Sequence, residues 1–181
     1  MPAATHTNRP YQIIPYDPHW AEKFQTHAAT LHKIFGDTVV MLEHIGSTAI
    51  PGMWAKPQID IVMTVKEFEN VPTYYEAMQH AGYTPRGDWT GQMGEEYFTY
   101  DTSDGIREAS IHVLPIGHKW ATQLVDFRDY LLTHPDDLRR YADMKKELHQ
   151  KHPSDYTSYY KGKVELVEEL LDKAAAWRHR S

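Results

Sequence analysis

The stretch that most restricts the fold lies between residues 38 and 65. Residues 38–45 are apolar and β-branched, residues 58–65 are so again, and the segment between them is broken by Gly46, Pro51, Gly52 and Pro57. β-Branched side chains suit a pleated, half-buried surface and Gly and Pro punctuate turns, so the pattern predicts two strands joined by a working loop. The second strand alternates, with Gln58, Asp60 and Val62 on one side and Ile59, Ile61 and Met63 on the other. Asp60 is thereby placed on a face where a site, rather than a core, can form.

Helical signals surround this pair. Asp17-Pro18 predicts a helix start, because Asp caps well and Pro is tolerated at the first helical position. Trp20, Phe24, Ala28, Leu31 and Phe35 then share one face of a helix ending at Gly36. A second helix is expected over 67–80, an exposed loop over 86–94 that serves as a mobile flap at most, and strands over 96–100 and 108–114 around the hairpin signal Asp104-Gly105. Beyond Gly117 the spacing is helical over 120–132, 136–149 and 164–177. Without repeat or linker, this order predicts one α/β (α+β) domain over residues 11–178, behind a disordered-looking 1–10.

Composition excludes several chemistries. In 181 residues there is no cysteine, which removes disulfides, thiolate zinc sites and thiol nucleophiles and leaves oxygen or imidazole as the ligands for any metal. A net charge of −6 argues against coating nucleic acid, where Lys and Arg must neutralise phosphates, so no nucleic-acid partner is expected. No run of about 18 apolar residues occurs, so no membrane partner is expected and a soluble cytoplasmic protein is the simplest reading. The Walker, Gly-x-Gly-x-x-Gly and His-Glu-x-x-His patterns do not occur.

The chemistry concentrates in Glu43-His44-Ile45-Gly46-Ser47-Thr48 and the later Asp60. Gly46 lets a phosphate approach the backbone, Ser47 and Thr48 offer hydroxyls, and an opposing carboxylate could share Mg²⁺ with substrate phosphates. Lys56, held extended by Pro57, could aim its ammonium at the same anion, or be a solvated loop lysine. Asp60 could instead be salt-bridged to Lys56 or Arg128, and His44 could be a buried histidine bonded to a neighbouring strand.

His44-Ile45-Gly46-Ser47-Thr48-Ala49-Ile50-Pro51-Gly52 with Lys56-Pro57-Gln58-Ile59-Asp60-Ile61 resembles the signature of the GrpB family (UPF0157), a group assigned to the nucleotidyltransferase superfamily. Ile111-His112-Val113, Phe127-Arg128-Asp129-Tyr130-Leu131 with His134-Pro135, and Tyr141, Lys145 and Lys163 extend the resemblance over about residues 11–172. It implies a nucleotidyltransferase-like mixed β-sheet with packed helices and a helical C-terminal part. It also implies two carboxylates on the strand after Gly-Ser, and here the chain departs: Gln58 stands where the first is expected, and His112 on the later strand where a third is expected.

The resulting expectation is a modified site. Asp60, His112 and His44 are the candidate catalytic residues, and Asp60, His112 and Glu43 the candidate ligands of a divalent metal, Mg²⁺ or Mn²⁺ by preference. Gly46, Ser47, Thr48, Lys56, Arg128, Tyr141, Lys145 and Lys163 are expected to handle the phosphate or nucleotide. Such a site would transfer a nucleotidyl or phosphoryl group to a small molecule. The alternative is a non-catalytic nucleotide or anion-binding module with a degenerate metal site. Both readings require Asp60 to face Ser47 across an open pocket.

Overall fold

In a computed structural model, residues 11–88 and 94–179 are described. The expected loose start at 1–10 and the centre of the 86–94 loop lie outside the described residues. The first helix, α1 (His19–Phe35), begins where the sequence signals it, since the Asp17 carboxylate accepts the His19 amide at 3.0 Å. Trp20, Ala28, Leu31 and Phe35 are its buried face, and Gly36, at φ 54°, turns the chain out of it.

Five strands follow: β1 (Val39–Ile45), β2 (Ile59–Val65), β3 (Tyr83–Gly87), β4 (Glu96–Asp101) and β5 (Arg107–Pro115). They form one mixed sheet in the order β1-β2-β5-β4-β3, in which β2 runs parallel to β5 and every other pairing is antiparallel. The helices are α2 (Tyr75–His80), α3 (Lys119–Thr133), α4 (Pro135–Lys151), α5 (Tyr156–Gly162) and α6 (Val164–Arg178). Among the described residues no helix is long and apolar enough to cross a membrane.

The alternation in β2 organises the layers. Ile59, Ile61, Met63 and Val65 pack with Ala109, Ile111 and Val113 of β5 against Trp20, Leu31 and Phe35 of α1. Fully burying an aliphatic side chain is worth roughly 1.5–3 kcal/mol, so this face holds the sheet to α1. On the opposite face Val62 meets Ile45, Leu114 and Ala121. Beside them a separate cluster of Ile50, Met53, Tyr130, Leu131, Tyr141, Leu166 and Leu170 packs α3, α4 and α6 onto the segment linking β1 to β2. That contact brings C-terminal side chains to residues 46–58.

Three local expectations are corrected. Only Tyr75–His80 of the expected 67–80 helix is α-helical; Phe68–Tyr74 is a 3-10 helix that contains Pro72, which has no N–H to give and crowds the preceding turn. The start of the expected 86–94 loop belongs to β3, an edge strand whose outer side needs no donor and so tolerates Pro85. Between the helices expected over 136–149 and 164–177 the chain forms a further short one, α5, which carries Tyr156 and Tyr159.

Candidate functional site

β1 ends at Ile45, paired with Asp60 of β2, and the chain then bends at Gly46 with φ 71°. A side-chain carbon added at Gly46 would stand 2.6 Å from Asp60 Oδ2. The carboxylate therefore lies directly against the Gly46 backbone and faces the 3-10 turn Ser47–Ala49. Gln58 fixes its other oxygen, donating through Nε2 to Asp60 Oδ1 and to Ser110 Oγ, each at 2.9 Å.

Ser47, Thr48, Lys56, Gln58, Asp60, Lys145, Tyr156, Tyr159 and Lys163 line one cavity, with about 460 Å³ of empty space including its open mouth. Lys145 reaches it from α4, 2% exposed, and donates to Ser47 Oγ at 2.8 Å while its Nζ lies 4.7 Å from the Tyr141 ring centre. Burial, and then the nearby Lys163 ammonium, hold the Lys145 pKa well below the ordinary lysine range, and Asp60 pulls it partly back. Lys163 lies 5.8 Å from the Tyr159 ring and 5.3 Å from that of Tyr160. Burial opposes its charge, yet the surrounding Tyr141, Tyr156, Tyr159 and Tyr160 keep its pKa raised. Lys56 lies 5.3 Å over the ring of Tyr156. Among the described residues, three lysine side chains thus share the cavity with one carboxylate.

Other expected site residues are held elsewhere. Thr48 donates to the Gln58 carbonyl at 3.0 Å, so the 3.0 Å contact between His44 Nε2 and Thr48 Oγ1 has the imidazole as donor. His44 is buried, stacked on Phe24 at 4.9 Å, and burial, then Arg128, push its pKa down to about 4. It is a neutral brace behind the turn and does not line the cavity. Arg128 donates to Glu43 at 2.7 Å, to the His44 carbonyl at 2.8 Å and to Asp129 at 2.8 Å, which ties α3 to β1 and leaves it off the phosphate-handling wall. Tyr141 is buried among apolar side chains and does not line the cavity, meeting it through the ring face under Lys145 and its influence on Lys163.

The expected metal set does not assemble. His112 Nδ1 lies 2.8 Å from Glu95, which is 2% exposed, and its ring is stacked on Tyr97 and edge-on to Trp120. Glu43 is engaged by Arg128, and among the described residues no three His, Asp or Glu side chains form a group able to hold a metal. Asp60 keeps one carboxylate beside an amide N–H that would oppose a cation, so these donors do not fit a protein-held divalent ion. His112 communicates with the pocket indirectly, since Tyr97 beneath it bonds Ser110 at 2.8 Å. Glu95 gave no signal in the sequence, being the first of two consecutive glutamates of which the second opens β4.

The mixed sheet with its glycine bend and flanking helices defines a nucleotidyltransferase-like fold. A structure of the Cid1 poly(U) polymerase with the UTP analogue UMPNPP superimposes with a TM-score of 0.53 at 14% identity, over 83% of this chain and 48% of that one, a likeness of fold alone. Within that fold the chain belongs to the GrpB protein family, whose pattern it matches over residues 10–173. The crystal structure of the conserved protein GrpB from Enterococcus faecalis superimposes with a TM-score of 0.83 at 27% identity, over 90% of this chain and 96% of that one. UPF0157 protein YqkA of Bacillus subtilis is 35% identical over 173 residues, 96% of this chain; the chain spans only 50% of YqkA.

Proposed function

We propose that the cavity between the Gly46 bend and α4–α5 binds a phosphorylated small molecule of the nucleotide type. The observation that carries this reading is the convergence of Lys56, Lys145, Lys163 and Ser47 on one pocket whose sole carboxylate is Asp60. Ammonium groups with little water around them attract an anion far more strongly than surface lysines do, and Ser47 adds a hydroxyl partner. The partly buried Tyr156 offers a ring beside which a base or sugar can lie. In this reading the lysines and the Ser47 hydroxyl, rather than a protein-held ion, answer the phosphate charge.

Thermal melting in EDTA with inorganic phosphate, ATP and UTP tests the reading. Ligand at about 100 times its Kd adds roughly 2.7 kcal/mol, which is a clear rise in Tm. Lys163→Ala should abolish the rise, and no shift with any of the three in the wild type would refute the proposal.

A second reading, metal-dependent nucleotidyl transfer, is favoured by the position of Asp60 against the Gly46–Ser47 turn. The two part at Asp60→Asn. Under the anion reading removing the negative charge preserves or tightens phosphate binding, whereas under the metal reading binding needs Mg²⁺ or Mn²⁺ and is lost in the variant.

A further inference from the structure

The bond between Lys145 and Ser47 carries more than ligand binding requires. A lysine that only neutralises phosphate has to stay charged, yet this one is 2% exposed, presses on the Tyr141 ring and ends 2.8 Å from a hydroxyl that opens onto the cavity. A desolvated lysine beside a second cation is a recurrent way to obtain a neutral amine as a base, and a serine bonded to such an amine is an activated nucleophile. Here the second cation is Lys163, and burial with that neighbour depresses the Lys145 pKa.

We infer that Ser47 is a nucleophile toward phosphorus and Lys145 its general base, acting on a phosphate ester or anhydride held by Lys56 and Lys163. In the forward step the Ser47 Oγ–P bond forms, the bond from phosphorus to the leaving oxygen breaks, and the serine proton passes to Lys145 Nζ and on to the leaving oxygen. Water then attacks the phosphoserine, its oxygen bonding to phosphorus and its proton passing to Lys145, while the Oγ–P bond breaks, phosphate leaves and Ser47 Oγ takes the proton back from Lys145. The substrate class rests on the phosphate-binding reading above; the reactivity of the serine does not.

The experiment is covalent labelling of the whole chain with an alkyl fluorophosphonate, in which Oγ–P forms and fluoride leaves, followed by intact mass and peptide mapping. One adduct at Ser47 is expected, absent in Ser47→Ala. Its rate should fall about 100-fold or more in Lys145→Arg, which still donates a hydrogen bond to Ser47 but stays protonated and cannot serve as a base. The wild-type rate should level off at a pH below the ordinary lysine range; a merely positioning lysine would leave a rate that climbs with hydroxide throughout, and that profile needs no variant to fold. No adduct, an adduct elsewhere, or equal rates in the wild type and a folded Lys145→Arg would overturn the inference. Phosphate binding without labelling sinks the nucleophile alone, and labelling without phosphate binding sinks the ligand assignment alone.

Discussion

Asp60 and Gly46 occupy nearly the same space, and each sets a condition on the other. Alanine at 46 would meet Asp60 Oδ2 at 2.6 Å and would have to hold a φ of 71° that suits glycine. Gly46→Ala should lower stability by about 1–3 kcal/mol in urea unfolding and weaken phosphate binding as Asp60 is displaced. His44 sets a pH dependence. Its folded pKa lies below that of the unfolded chain, so the unfolded state binds the extra proton and stability, full above neutrality, falls as pH drops from about 6.5 toward 4, by up to roughly 3 kcal/mol. Burial lowers His27 as well, which adds in the same direction. Urea unfolding at pH 7 and pH 4.5 should show the loss, and His44→Gln should shrink it; an unchanged loss would mean that His44 is not held neutral. At this scale Asp60, Ser47 and the lysines were readable from chain pattern and family resemblance. His44, Arg128 and His112 were not, because Phe24, Glu43 and Glu95, which hold them, lie 17 to 85 residues distant in the chain and only folding brings them together.

Elements were legible where one periodicity ruled. The alternation in β2 and the 3.6-residue spacing in α1 both emerge as drawn, since the Ile59, Ile61 and Met63 side of β2 and one face of α1 pack into the same apolar cluster. They failed where a tertiary contact overrode local preference: β3 contains Pro85 and Gly87, poor strand residues, and is recruited by β4 at the sheet edge. α5 was hidden for a similar reason, being one short helix pressed onto α4. A carbon added at Gly162 would meet Leu148 Cδ2 at 2.4 Å, so the close approach of these two helices depends on a missing methyl. Gly162→Ala should cost about 1–3 kcal/mol of stability by chemical denaturation, despite alanine's better helix propensity, and should loosen Lys163. A stabilised variant would show that the two helices can part cheaply.

Over the molecule as a whole, the cavity is built from two regions about a hundred residues apart, the sheet side giving Ser47, Gln58 and Asp60 and the helical side Lys145, Tyr156 and Lys163. An anion in it ties the helical layer to the sheet. Amide hydrogen exchange with saturating ligand should therefore slow in residues 44–60 and 141–163 together, with β3 and β4 unchanged. Protection confined to either region would place the ligand outside the shared cavity.

Strand β2 is hydrogen-bonded along both of its flanks, to β1 on one side and β5 on the other. A slip of one residue would turn Ile59, Ile61 and Met63 toward the pocket and drive the acid into oil, and neither flank could slip without dragging its neighbour. Misaligned molecules therefore forfeit solubility and ligand capture in the same event, so a phosphate-bearing affinity resin would sort a refolding mixture by the correctness of its pairing.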